Sequence, residues 1–445
     1  MEEKGLSRRS FIRNSSLAGL SVATIETLNS CSTGRANRVS SRNAVEWQTL
    51  RTRFHDELFY RFLPAMDQYC VDHEYGGFLC DFNISTRKST STTKRTWYQG
   101  RGIWVYSYLY NNFKKDEAYL KIAKNAIDFI LKLRPGGKEF WDTNYSREGK
   151  KISDPGDIYG DLFVAEGLAE YAKAVGDNKY FDTAKEIIFN CVERYDQPDY
   201  VYNISYVPGK PKISGPRVLG HWMIFLSIST QILSHWENDA DFVALNNRCI
   251  DAIMNGHLNK EFQLLNEAVN HDFSVPGNEF SDFLVIGHSM ETLVFVMEEA
   301  VRRKDMDLFK RSRDLFKRHV EVSADKLYGG YFEVLYNANT YHWSLSKSTW
   351  CQQEISRGVL LMIEHEDEAW ERECFFNLDQ YMQKKMVRPD FAFWTFGGDR
   401  KVEKPNLTIL EHYHTPRYLM RSLLAFDRII ARNGNISAFL GANKA

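Results

Sequence analysis

Tyr75-Gly76-Gly77-Phe78 near the start of the chain returns as Tyr328-Gly329-Gly330-Tyr331-Phe332 far downstream. Four more short pieces are rich in aromatic residues. They are Phe140-Trp141-Asp142, Tyr200-Val201-Tyr202, Phe262-Gln263-Leu264-Leu265 and Phe391-Ala392-Phe393-Trp394. The six pieces recur roughly 60 residues apart, a spacing that marks a structural repeat. Between them apolar residues fall at helical spacing in Ala118 to Leu133, Leu162 to Val175, Met223 to Leu233 and Phe242 to Met254. The same holds for His288 to Val301, Leu308 to Val320, Ile355 to Ile363 and Arg417 to Ile430. A helix pair cannot bury its apolar face alone, and six pairs complete a ring. The expected fold is therefore all-α, an (α/α)6 barrel or toroid, with the aromatic pieces as strands or short β-hairpins at one rim. An open helical solenoid is the competing arrangement. The absence of obvious polar caps on the first and last units favours closure.

The chain has 445 residues, of which 43% are hydrophobic and 26% charged, as in a soluble globular protein. A net charge of -1 gives no electrostatic reason to expect nucleic acid or an anionic membrane as partner. Aromatics reach 14%, enough to pack a core and to offer faces on which sugar rings stack.

The first residues read as an address, not as part of the fold. Ser7-Arg8-Arg9-Ser10-Phe11-Ile12-Arg13 resembles a twin-arginine export signal, and Leu17 to Leu28 after it is too short and too polar to span a membrane. Leu28-Asn29-Ser30-Cys31 looks like an imperfect lipobox whose processing would leave a lipidated Cys31. The expected organisation is an export signal over 1–31, a disordered linker over 32–45, the barrel over 46–435 and a tail over 436–445. The expected location is the periplasm, free or membrane-anchored through Cys31. The remaining six cysteines show no CxxC pair and no metal-ligand spacing, and disulfides are not assigned. Oligomeric state stays open, with a homodimer among the options.

Three segments carry candidate chemistry. In Trp97-Tyr98-Gln99-Gly100-Arg101, Trp97, Arg101, Trp104 and Tyr108 share one helical face. Gly100 and Gly102 each cost a helix about 1 kcal/mol relative to Ala, which points to close backbone approach or to a ligand. In Ile286-Gly287-His288-Ser289-Met290-Glu291, His288 and Glu291 are placed on one face, where the carboxylate would orient the imidazole. In Glu411-His412-Tyr413-His414-Thr415-Pro416-Arg417, Thr415 reads as an N-cap and Pro416 as the first helical residue, with His414 just outside on the cavity rim. A fourth segment, Lys347 through Glu354, places Trp350 beside Glu354, a platform and a hydroxyl acceptor for a sugar.

Together these segments resemble the N-acylglucosamine 2-epimerase family, which includes cellobiose 2-epimerases and aldose-ketose isomerases. The family's Trp-Leu-Gln-Gly-Arg is matched by Trp97 to Arg101, its Gly-His-x-x-Glu by Gly287 to Glu291, and its His-x-Pro-Arg by His414 to Arg417. Its Lys-x-Trp-Trp-x-x-x-Glu is matched by Lys347 to Glu354, with Thr349 in place of the first tryptophan. Some relatives carry His-x-His on an earlier helix, where this chain has His221-Trp222-Met223. The resemblance implies an (α/α)6 barrel, two catalytic histidines at His288 and His414, and Arg101 as ligand of a substrate oxygen. Glu291, Glu354, Trp350, Trp97, Arg417, Trp394 and His221 complete the substrate-binding candidates. The implied reaction is inversion at carbon 2 of a reducing sugar, N-acylglucosamine, N-acylmannosamine or a related aldose. One histidine removes the proton, an enediolate forms, and the other returns it. No metal and no cofactor is expected, since neither a ligand cluster nor a phosphate loop is present.

Three alternatives stay open: an aldose-ketose isomerase on the same site, a glycoside hydrolase using Glu291 and Glu354 as its carboxylate pair, and a non-catalytic sugar-binding lipoprotein.

Overall fold

Burial along the helices sorts them into two kinds. Some are apolar on one stripe only; others are buried nearly all round, which a helix tolerates only inside a second shell of structure. In the computed structural model, which describes residues 45–83, 86–204, 213–278, 280–401, 410–437 and 439, the two kinds alternate along the chain. The arginine pair Arg8-Arg9 and Cys31 lie outside the described residues.

Twelve helices are present among the described residues. Helix α1 covers residues 45–69, with a π-helical stretch at Glu57–Phe62. The inner helices are α2 (Thr96–Asn112), α4 (Ile158–Val175), α6 (Leu219–Leu233), α8 (Ile286–Arg303), α10 (Thr349–His365) and α12 (His414–Ala431). The outer ones are α1, α3 (Glu117–Lys132), α5 (Asn178–Tyr195), α7 (Ala240–Asp251), α9 (Met306–Ser323) and α11 (Ala369–Lys385). Each inner helix from α2 to α10 packs on the outer helix that follows it, and on the inner helices before and after it. The ring closes because α12 packs against both α1 and α2. The sixth pair is thus made from the two ends of the barrel, and the toroid expected from the sixfold spacing is what forms.

Local chemistry explains the alternation. Helices α3, α5, α7 and α9 begin on aspartates, Asp116, Asp177, Asp239 and Asp305, whose carboxylates accept first-turn N–H groups. Helix α11 begins on a capping box formed by Glu368 and Glu371. Helices α2, α6, α8 and α10 instead run directly out of two-residue strands. Four helices, α1, α2, α5 and α11, are missing from the eight runs expected above, although the shared face of Trp97, Arg101, Trp104 and Tyr108 anticipates α2. The spacing of Trp47, Leu50, Phe54, Leu58 and Phe62 was legible in α1, although Pro64 interrupts the pattern.

All six aromatic pieces lie where an outer helix hands over to the next inner one, so they gather at the end where the inner helices start. They are not all strands. Gly76, Gly77, Gly329 and Gly330 have φ of 75°, 79°, 75° and 68°, so the two Tyr-Gly-Gly pieces are left-handed turns. Each turn is held by the same device, residue for residue at a constant offset. Gln99 bonds both the N–H and the C=O of Phe78 (2.7 and 3.0 Å), as Gln352 does for Tyr331 (2.9 and 2.9 Å). Asp72 is held by Lys94 (2.9 Å) and Arg147 (2.8 Å), and Asp325 by Lys347 (2.8 Å) and Arg400 (2.9 Å). Short antiparallel pairings stitch neighbouring connections into a belt: Lys94–Arg95 with Asn144–Tyr145, Arg217–Val218 with Ala268–Val269, Leu284–Val285 with Val334–Asn337, and Lys347–Ser348 with Gly397–Gly398. Six cysteines, Cys70, Cys80, Cys191, Cys249, Cys351 and Cys374, are buried as free thiols.

Candidate active site

The first two turns of the inner helices carry nearly every residue singled out in the sequence. Helix α2 supplies Trp97 and Arg101, α6 His221, α8 His288 and Glu291, α10 Trp350 and Glu354, and α12 His414 and Arg417. Because these helices start at one rim, residues far apart in the chain meet there. The Trp350 ring lies 5.7 Å from that of His288 and 5.4 Å from that of His414, centroid to centroid. The two imidazoles are therefore no farther apart than those two steps allow. Arg101 is stacked among Trp97, Phe163 and Tyr413, 4.3 to 5.0 Å from each ring, with one guanidinium nitrogen 3.8 Å from Glu411.

The flanking glycines of Arg101 serve helix packing. A Cβ on Gly100 would lie 2.2 Å from the carbonyl carbon of Phe163 on α4, and one on Gly102 would strike the Phe78 ring at 2.2 Å. Close backbone approach, not a ligand, accounts for both.

Each of the two rim histidines is held by a carboxylate. His288 Nδ1 is 2.9 Å from Glu267, and His414 Nδ1 is 3.0 Å from Glu411. Burial works against a charged His288, but Glu267, Glu291 and Glu333 together outweigh it, so its pKa is raised. The expected orientation of His288 by Glu291 does not form. Glu291, although only three residues along the helix, binds Arg417 instead, and Arg417 also holds Glu354 at 2.7 Å. Burial would lift the Glu291 carboxyl, yet Arg417, then His414 and Arg357, hold it well below the usual carboxylate range. The other oxygen of Glu354 accepts from Arg357 at 2.9 Å. Both carboxylates thus belong to a buried ion-pair cluster beneath the histidines.

The start of α12 differs from the sequence expectation. His414 is the first residue of α12, and Thr415 is inside the helix, where Gln353 donates to its hydroxyl at 3.0 Å. The capping is done by Glu411, whose second oxygen accepts the N–H groups of Tyr413, His414 and Thr415 at 3.2, 2.7 and 3.3 Å. Trp394 donates its indole N–H to Glu57 on α1 at 2.7 Å and packs on Tyr418. His221 is enclosed by Tyr159, Tyr202, Tyr195 and Tyr200, and burial pulls its pKa well below the usual value. Its neighbour Tyr159 stacks on Trp97 at 5.3 Å, linking His221 to the rest of the site. His412 is occupied on both nitrogens, by Tyr98 O at 2.9 Å and Cys80 Sγ at 3.4 Å, which makes it a structural histidine.

Glu267 and Glu411 were missed as site residues. Glu411 was legible, being three residues from His414, the same spacing that drew attention to Glu291. Glu267 sits outside α8 and is held beside it by its backbone, whose N–H donates to Phe283 O at 2.9 Å and whose C=O accepts from Leu219 at 2.8 Å. What results is two imidazoles, each tethered at Nδ1 by an anion, beside a guanidinium: the parts needed to move a proton next to a carbonyl and to stabilise the oxyanion that results.

Residues 76–415 match the family model described as N-acylglucosamine 2-epimerase (GlcNAc 2-epimerase). The N-acylglucosamine 2-epimerase of Mus musculus is 24% identical over 396 residues, covering 84% of this chain and 90% of that protein. The cellobiose 2-epimerase of Dictyoglomus turgidum is 26% identical over 165 residues, 36% of this chain and 41% of that protein. Among solved structures, the cellobiose 2-epimerase of Bacillus thermoamylovorans superposes with a TM-score of 0.73 at 16% identity, covering 85% of this chain and 99% of its own.

Proposed function

Since this chain belongs to the N-acylglucosamine 2-epimerase family, we propose that it is a sugar 2-epimerase working by proton transfer between His288 and His414. The sugar opens to its aldehyde. One imidazole takes the proton from carbon 2, leaving an enediolate whose oxygen faces Arg101. The other imidazole delivers a proton to the opposite face, and carbon 2 inverts. The observation that carries this reading is the convergence of His288 and His414 on the Trp350 ring, each tethered at Nδ1 by a carboxylate. Trp350 and Trp97 are the rings placed to stack on the sugar. Glu291, Glu354 and Arg417 are assigned to the ion-pair cluster that supports the histidines. His221 and Trp394 are assigned to the walls. N-Acylglucosamine, N-acylmannosamine and related aldoses are the substrates to test first.

Incubating the enzyme with a panel of reducing sugars in heavy water tests the reaction. Epimerisation gives an aldose with deuterium at carbon 2. A ketose labelled at carbon 1 makes the protein an isomerase, and a cleaved glycoside without carbon-bound deuterium overturns the proton-transfer reading.

The twin-arginine-like segment and Cys31 support export, with a lipid anchor on Cys31. Replacing Arg8 and Arg9 with lysine is expected to leave precursor in the cytoplasm, and unchanged export would refute the proposal. A mature chain that starts elsewhere than Cys31 would remove the anchor alone.

A further inference from the structure

Glu411 divides its two oxygens between the start of α12 and the His414 imidazole. One oxygen accepts the first backbone N–H groups of α12, with its shortest contact, 2.7 Å, to His414 itself. The other lies 3.0 Å from His414 Nδ1 and 3.8 Å from the Arg101 guanidinium. Capping needs only the first of these. The short turn that bears Glu411 is fixed on both sides: Leu410 donates its N–H to Cys80 O at 2.7 Å, and His412 bonds Tyr98 O at 2.9 Å. The carboxylate is thus delivered to the imidazole by a clamped backbone, with both its oxygens engaged.

A carboxylate can only accept, so Nδ1 of His414 must carry the hydrogen. That leaves Nε2 as the nitrogen for proton transfer. The carboxylate also prevents the ring from turning over, since a flipped ring would lose the bond. Through its contact with Arg101, the same anion sets where the guanidinium stands relative to the imidazole. We propose that Glu411 is a positioning residue that fixes His414 as the Nδ1–H tautomer and ties it to Arg101, so that base and oxyanion ligand share one anchor. This rests on the reading of His414 as a proton-transfer group.

The test uses the full chain labelled with ¹⁵N-histidine, with the His414 signals identified by their loss in His414→Asn. In the unaltered protein, at a pH where the ring is neutral, Nδ1 is expected to be protonated and Nε2 not. Glu411→Gln removes the charge and offers an amide that can donate as well as accept. It is expected to shift the ring toward a tautomer mixture and to lower kcat tenfold or more while KM changes little. Glu411→Asp keeps the charge but is one methylene shorter. It is expected to retain the cap and the melting temperature while the Nδ1 bond weakens, which covers the case where the glutamine variant fails to fold. An unchanged tautomer in whichever variant folds overturns the proposal, as does a loss of activity that only follows a fall in melting temperature. The tautomer is read without turnover. An active His414→Asn would therefore refute the two-histidine reaction while leaving the tautomer result to decide the role of Glu411.

Discussion

At His288 burial and charge pull in opposite directions, and charge wins: Glu267, Glu291 and Glu333 together keep the imidazole easier to protonate than a histidine in water. Glu267→Gln should therefore move the His288 limb of the rate profile to lower pH, which kcat/KM measured between pH 5 and 9 will show. The histidines themselves should matter for turnover more than for binding. His288→Asn or His414→Asn is expected to slow the reaction about a hundredfold or more, the usual scale for a lost general acid or base, with substrate affinity little changed. Arg101→Ala should raise KM and lower kcat together, because in the proposed reaction the guanidinium would face the same oxygen in the ground state and the transition state. Steady-state kinetics on the purified variants separate these outcomes.

At the scale of elements, the site depends on how closely α2 approaches α4. Alanine has the higher helix propensity, worth about 1 kcal/mol over glycine. At Gly100 that gain is expected to be lost, since the new Cβ would lie 2.2 Å from backbone that cannot step aside. Gly100→Ala should destabilise the protein by roughly 1–3 kcal/mol, the scale of an overpacked core, and should displace Arg101 one residue away. Urea denaturation paired with kcat checks both. The rim turns make an acid-sensitive element. The Asp72 carboxyl is fully buried, which would raise its pKa, but Arg147 and Lys94 hold it down to about 2. A lowered carboxyl pKa stabilises the fold above the unfolded value near 4, and that stability is lost as pH falls through 4 toward 2. Asp72→Asn should remove about 2 kcal/mol at neutral pH and flatten the stability profile between pH 4 and 2, measured by denaturant titration at each pH.

For the whole molecule, closure is the event that completes the site, because α12 brings His414, Glu411 and Arg417 to a ring otherwise built from earlier sequence. Its seat on α1 is aromatic. Trp47, fully buried, packs on Phe375, Phe376 and Phe426 at 5.8 to 6.0 Å. Trp47→Ala is expected to cost about 3–5 kcal/mol, as for other buried aromatic truncations. Because the loosened helix carries His414, activity should fall below the melting temperature as well, which a comparison of thermal melts with rates at low temperature will reveal.

The sequence by itself determined the ring and the family. Six aromatic pieces at near-regular spacing marked six outer-to-inner connections, and the segments at Trp97, His288, Trp350 and His414 already held the histidines, the arginine and the family. These signals are local, set by periodicities of a few residues and by side-chain types that survive any packing. Only the tertiary structure decided partners. Spacing along α8 pointed from Glu291 to His288, yet Arg417, 126 residues away, captured Glu291, and Glu267 arrived from a neighbouring strand to hold His288. A buried guanidinium must find carboxylates wherever the fold brings them, and the desolvation cost of leaving it unpaired outweighs a weak preference for i,i+3 neighbours. Which anion holds His288 was therefore fixed only by the tertiary fold.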